Sequence, residues 1–272
     1  MEQIRVAAQL NTVRDYCRTE AGVIKALEEI KAIGYDGVEI EGINKIISNE
    51  RLAEVLDSLN LAVASTRNKH GRTLVDLDGM IEEANALGAK NVSIGMMTGS
   101  QSTEEAVDKY LDTVKPMVER LTEAGLRATH KLMIREFMRL PREVFNTPER
   151  QEPKPFLFDL LRERSDSDKL YFELDTFNLA MAGVNLEDVL ADLPGRVRVI
   201  RFRDIKISEY ELNFFYAERE PCPLGEGVLD FASYMPFIRK AGIEWITAGQ
   251  NLGTRDPFEE LAMSFDHLIK LV

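Results

Sequence analysis

Short runs rich in β-branched and aliphatic residues alternate along the chain with longer runs whose apolar positions recur every three or four residues. The short runs cover 4–10 (IRVAAQL), 37–42 (GVEIEG), 61–66 (LAVAST), 91–96 (NVSIGM), 127–133 (RATHKLM), 170–176 (LYFELDT), 197–204 (VRVIRFRD) and 244–250 (EWITAGQ). Each has the length and composition of a buried strand. Among the longer runs, 19–34 places Val23, Ile24, Leu27, Ile30 and Ile33 near helical spacing and ends at Gly34, a residue suited to helix C-termini. The run 48–60 begins at Ser48, a natural N-cap, and aligns Leu52, Val55, Leu56 and Leu59 on one face. A long helix is expected over 102–125, ending at Gly125 and kinked at Pro116.

The order of these elements sets the fold class. Most strand runs start just after a helix-ending glycine or a turn, as in GYDGVEI, LGAKNVSI, AGLRATH, PGRVRVI and AGIEWIT. That recurrence is the signature of right-handed βα units in a parallel sheet. Eight such units fit an α/β fold of the (β/α)8 TIM-barrel type, read as one domain over residues 1–272. A doubly wound open sheet is the runner-up; it lacks a G-x-G-x-x-G after the first strand and a P-loop. Two connections after strands are longer than a barrel needs, 139–155 and 207–227, the second with Tyr210, Phe214, Phe215 and Tyr216. Both belong to the face where barrel enzymes place their sites. The second is expected to be a lid or substrate wall, with an oligomer contact or a plain surface loop as alternatives.

Composition narrows the function. The hydrophobic share of 44% suits a chain with a sizeable core. A net charge of −12 argues against a nucleic-acid-binding face. Two cysteines, Cys17 and Cys222, stand far apart in no metal-type spacing, so a disulfide framework is not expected. The start MEQIRVAAQL lacks the build of a signal peptide, and no apolar run reaches the ~18 residues of a membrane span. The expectation is a soluble, cytoplasmic protein with no membrane or nucleic-acid partner.

Candidate chemistry collects at the ends of strand runs. Arg201 and Arg203 close the seventh. Arg67, Lys69, His70 and Arg72 follow the third, either to receive a phosphate or carboxylate or as a solvated basic loop. His130 is by type a general acid or base, or else a hydrogen-bonded structural residue. Glu39 and Glu41 are read as facing opposite sides of the second strand, so that one of them lies in the barrel mouth.

The stretches VAAQLNTVRDY, IKAIGYDGVEI, ELDTFNLAMAG, PGRVRVIRFRD and LGEGVLDF, in this order, resemble the sugar phosphate isomerase/epimerase proteins with the xylose isomerase-like barrel, a superfamily that includes the AP-endonuclease family 2 barrels. The resemblance runs from about residue 4 to residue 270. It implies one divalent metal, often manganese, held by a Glu after the fifth strand, an Asp after the sixth, a His on the seventh and a Glu on the eighth. The metal would hold two sugar oxygens while the two glutamates pass a proton.

Carried over residue by residue, the resemblance puts Glu136 at the first Glu, His130 at a neighbouring His, Asp175 at the Asp, and Glu39 in the barrel mouth. Asn178 stands where an aromatic or His is common. The seventh-strand His is replaced by Arg201, and the last Glu by Gly249, followed by Gln250. A guanidinium has no lone pair to offer a metal. The expectation is therefore no metal and no cofactor, with manganese or another divalent ion through Glu136 and Asp175 as the alternative. Arg201 is expected between Glu136 and Asp175 in the metal's place, each charge pair attracting by about 4 kcal/mol at ~4 Å and an effective dielectric near ~20, before desolvation. Glu136 and His130 are the candidate catalytic residues; Asp175, Arg201, Arg203, Arg67, Glu39, Asn178 and Gln250 are the candidate substrate-binding residues. The implied ligand is a small sugar, keto-sugar or sugar acid. Two functions stay open: an isomerase/epimerase-like enzyme with altered chemistry, or a non-catalytic sugar-acid binder or subunit supporting an active paralogue. Self-association is expected only by likeness to the family.

Overall fold

The computed structural model describes residues 3–41, 43, 46–67, 70–97, 103–138, 156–207, 219–250, 253 and 255–272. Its strands are β1 (Arg5–Gln9), β2 (Gly37–Glu41), β3 (Ala62–Arg67), β4 (Asn91–Ser93), β5 (Arg127–Lys131), β6 (Leu170–Asp175), β7 (Val197–Phe202), β8 (Asp204–Ile207), β9 (Arg219–Cys222) and β10 (Trp245–Ala248). β1 to β7 and β10 close into a parallel barrel in the order β1-β10-β7-β6-β5-β4-β3-β2. This is the (β/α)8 barrel expected from the alternation of runs. The helices are α1 (Glu20–Ile33), α2 (Asn49–Ser58), α3 (His70–Val75), α4 (Leu77–Ala86), α5 (Glu104–Glu123), α6 (Leu157–Arg164), α7 (Thr176–Ala182), α8 (Leu186–Asp192), α9 (Phe231–Ala241) and α10 (Pro257–Leu268).

Local signals account for the helix ends. Thr19 Oγ1 accepts from Gly22 N at 3.1 Å and Ser48 Oγ from Arg51 N at 3.2 Å, each occupying one of the amide donors a helix start leaves open. Gly34 ends α1 at φ +122°, where a Cβ would lie 2.7 Å from the Phe265 ring. α5 runs through Pro116 as one continuous helix.

Most apolar side chains form one core between the outer faces of the strands and the helices. A smaller cluster of Ala7, Ala64, Val199 and Trp245 lies apart from it and plugs the lumen near the strand N-termini. Farther along the same inward faces the residues turn polar: Gln9, Glu39, Lys131, Glu173, Arg201 and Thr247 are all buried. The lumen is thus apolar at one end and charged toward the other, where the strands' C-termini form the mouth.

The connection over 207–227, expected to be a loop, is entered and left as a β-hairpin, because β8 pairs antiparallel with β9. Asp204 anchors its base. Its Oδ1 accepts from Ile205 N (2.8 Å) and Leu229 N (3.1 Å), and its Oδ2 from Gly225 N (3.0 Å) and Gly227 N (2.9 Å). The aromatics Tyr210, Phe214, Phe215 and Tyr216 lie outside the described residues, as do Lys69 and the 139–155 segment.

Candidate functional site

β7 delivers Val199 and Arg201 to one side of the strand and Ile200 and Phe202 to the other, following the two-residue strand period, and Arg203 comes just past its end. Arg201 is fully buried. Its Nη2 donates to Glu39 Oε1 on β2, and the same nitrogen lies 3.5 Å from Glu173 Oε1 on β6. Gln9 on β1 donates to Glu39 Oε1 as well, at 2.9 Å. Arg67, at the end of β3, donates to Glu41 Oε2 at 2.7 Å and places its Nε 3.9 Å from Glu173 Oε1.

Asp175 closes the other half of the mouth. Arg203 Nε donates to its Oδ1 at 3.1 Å and Arg203 Nη2 lies 2.8 Å from its Oδ2. Lys131 Nζ stands 3.3 Å from that Oδ2. Asp175 also caps α7, with Oδ1 accepting from Phe177 N at 3.1 Å and Asn178 N at 3.3 Å. The Arg203 guanidinium stacks 4.8 Å from the Phe177 ring centroid, and its backbone is tied to Thr176 Oγ1.

These charges set one another's protonation. Burial pushes the Asp175 carboxyl up, but Lys131, Arg203 and Arg201 outweigh it and hold the group well below the usual carboxylate range. Glu39 is likewise lowered, burial being outweighed by Arg201, Arg67 and Lys131. Glu173 moves the other way, raised by burial and by the neighbouring Glu39. Lys131 is lowered to about 8, first by burial and then by Arg201, against the pull of Asp175. Asp175 and Lys131 are thus an unequal pair. The carboxylate has Arg203 as a second cation, whereas the ammonium faces two arginines.

Several expectations change. Arg201 does not lie between Glu136 and Asp175. Its side chain reaches across the lumen to Glu39 and Glu173, and Arg203 and Lys131 take Asp175. Glu39 and Glu41 do not face opposite sides. Residues two apart on a strand point the same way, and both meet the cationic cluster, Glu39 at Arg201 and Glu41 at Arg67.

His130 sits behind the strand wall. Its Nδ1 is 2.6 Å from the Tyr110 hydroxyl of α5, and its ring meets Tyr110 and Phe172 edge-on. Glu136 shares that place. Its Oε1 is 3.7 Å from His130 Nε2, and its Oε2 accepts from Met133 N at 2.8 Å. Asn178 Nδ2 spans Leu132 O (3.5 Å) and Met133 Sδ (3.3 Å), tying the end of β5 to α7. Gln250 turns to the helix side, donating to Glu260 Oε2 at 3.1 Å. Arg72 pairs with Asp76 and Glu83 on its own side of the fold.

Lys131 and Glu173 went unnoticed in the sequence, and so did the roles of Gln9 and Glu41. The two-residue period holds the missing signal: once Asp175 faces the lumen, Glu173 must too, and on β5 Lys131 then faces inward with Thr129 while His130 faces out. β5 and β6 pair Lys131 with Glu173 in register.

At the four positions where the resemblance implies metal ligands stand Glu136, Asp175, Arg201 and Gly249. Gly249 has φ +154°, and a Cβ there would lie 2.3 Å from Thr12 Oγ1 and 2.7 Å from Gln9 Cβ. Among the described residues no group of three or more His, Cys, Asp or Glu side chains is arranged to hold a metal ion, and no helix is long and apolar enough to cross a membrane.

A family model described as xylose isomerase-like TIM barrel matches residues 27–268. No curated protein matches the chain. Among solved structures, a sugar phosphate isomerase/epimerase from Parabacteroides distasonis superposes with a TM-score of 0.79 at 15% identity, over 98% of each chain. The IOLI protein, solved with a zinc atom, gives 0.72 at 14% identity over 98% of each chain. An AP endonuclease of family 2 from Brucella melitensis gives 0.66 at 14% identity, over 96% of this chain and 97% of that one. At such identities the likeness is one of fold.

Proposed function

Because the chain belongs to the xylose isomerase-like TIM barrel family, we propose that its barrel mouth takes a small sugar, keto-sugar or sugar acid, and does so without a divalent metal. One observation supports this above the others. The seventh-strand position expected to bear a His ligand bears Arg201, fully buried and committed to Glu39 and Glu173. The remaining positions agree with it. Asp175 is engaged by Arg203, Lys131 and two amides. Gly249 brings no donor, and its surroundings leave no room for a side chain. Glu136 is turned to Met133 N and His130. Such a set does not offer a hard divalent ion the several oxygen or nitrogen ligands it needs.

The chemistry of isomerases and epimerases requires a base beside a carbon and a positive group that holds the adjacent carbonyl oxygen as charge develops. In this mouth the positive groups are Lys131, Arg67 and Arg203, already fixed by carboxylates and therefore pre-oriented. Glu173 is the carboxyl nearest them whose two oxygens accept no hydrogen bond. A carboxylate or keto oxygen of the ligand fits this cationic set better than a neutral polyol does.

The reading is tested by thermal melting of the protein with sugars, keto-sugars and sugar acids, each with manganese and with EDTA, together with metal content by mass spectrometry. A melting shift by anionic or keto ligands that survives EDTA is the expected result. Stoichiometric manganese or zinc in the purified protein, or a shift by neutral ketoses that requires manganese, would overturn it.

A further inference from the structure

We infer that the end of the barrel opposite the mouth carries a second ligand site, one that takes a phosphomonoester with an apolar body. It shares no residue with the mouth and stands whatever the mouth binds.

The place is a cavity of about 620 Å³, lined by Arg5, Arg198, Arg239, Glu244 and Trp245 and floored by Ile4 and Ile243. Arg5 opens β1, Arg198 is the second residue of β7, and Trp245 opens β10. The cavity therefore lies at the strand N-termini, beneath the apolar plug of the lumen. Arg239 reaches it from the last turn of α9. Its volume is that of a small-molecule site.

Charge gives the ligand its class. Three guanidiniums and one carboxylate line the cavity, on a chain whose net charge is −12. The carboxylate is shared with a cation outside the lining: Glu244 Oε2 lies 2.7 Å from Arg127 Nη1, and its Oε1 is 3.8 Å from Arg198 Nε. The arginines are fixed by contacts that use few of their five N–H groups. Arg198 Nη1 donates to Gly242 O at 3.0 Å, while its Nε is buried with no hydrogen-bond partner among the described residues. Arg239 Nη2 donates to Leu271 O at 2.7 Å. Arg5 rests over the Trp245 ring, 3.9 Å from its centroid, and a stacked guanidinium keeps its in-plane N–H groups for an acceptor. A phosphomonoester, nearly a dianion with three acceptor oxygens, answers this excess of positive charge better than a carboxylate does. Ile4, Ile243 and the Trp245 ring offer apolar surface that inorganic phosphate would leave uncovered.

Trp245 is the only tryptophan of the chain, so its fluorescence reports on this cavity. The full-length protein is titrated at low salt with phenyl phosphate, inorganic phosphate and phenol. The expected result is a saturable change with phenyl phosphate, weaker binding of inorganic phosphate and none of phenol. Affinity should fall as salt is raised, because the arginines are partly exposed. Arg198→Met and Arg239→Met should each weaken phenyl phosphate about tenfold, the loss of one charge-assisted contact, with melting curves checking that both variants fold. The three-ligand comparison on the unaltered chain needs no variant. No saturable change with phenyl phosphate would overturn the site, and so would unaltered affinity in both folded variants, which would put the probe elsewhere. Phenol or inorganic phosphate binding as tightly as phenyl phosphate would overturn the ligand class.

Discussion

Arg201 and Glu39 stand 162 residues apart in sequence and meet across the lumen as a buried guanidinium–carboxylate pair with no solvent exposure on either side chain. Two strands, β10 and β1, separate theirs around the barrel. The long arginine side chain can cross because those strands place Thr247, Gly249 and Gln9 there rather than bulky groups. Gln9 completes the link through its bond to Glu39.

Removing this arginine leaves Glu39 and Glu173 buried without their nearest cation. Arg201→Met is expected to cost about 3–5 kcal/mol in urea unfolding at neutral pH. Losing the cation raises both carboxyls, Glu173 from a value that burial and Glu39 already hold above the usual range. Their penalty is therefore absent at low pH and grows as pH rises, making the loss smaller at pH 5 than at pH 8. Adding Glu39→Gln should recover part of it; a double variant no more stable than the single one would argue against the pair.

Lys131 makes a prediction of the opposite pH sense. Its folded value of about 8 lies below the ordinary 10.5. Between those pH values the unfolded chain keeps a proton the folded chain has lost, so stability rises with pH across that window. Below it the penalty is constant, on the order of 3 kcal/mol. Lys131→Met should thus melt above the parent at pH 7, with the gap closing toward pH 10. A gap independent of pH would mean the amine is not the group responsible.

Gly249 is held by sterics. At φ +154° with Thr12 Oγ1 2.3 Å from a built Cβ, Gly249→Ala is expected to cost roughly 1–3 kcal/mol from backbone strain and overpacking. Gly249→Glu should be worse, and calorimetric titration with manganese should show no site regained.

Asp204 organises the base of the hairpin rather than the ligand site. Asp204→Ala strands four amide donors, at Ile205, Gly225, Gly227 and Leu229, at an expected cost of at least about 3 kcal/mol. Limited proteolysis should show new cleavage near 219–229 before global unfolding. Unchanged protection there would remove the aspartate from this role.

The barrel was legible from the chain because its cues are local. A two-residue period over LYFELD and VRVIRF, a helical period over 19–34 closed by Gly34, and a turn before most strands are each written in a few neighbouring residues. The same period, applied to RATHK, would have set Lys131 inward and His130 outward. The family motif drew attention to His130, and the strand geometry placed it against Tyr110 instead.

Sequence alone determined the class of the fold, most of the strand and helix positions, and the presence of Arg201, Arg203 and Asp175 at one end of the barrel. Tertiary structure decided which charge meets which. Side chains projecting inward from eight strands converge on one axis, so an arginine's partner depends on strand order, register and reach across the lumen rather than on neighbours in the chain. That is why Arg201 found Glu39 and Glu173, and Lys131 and Arg203 were left to share Asp175.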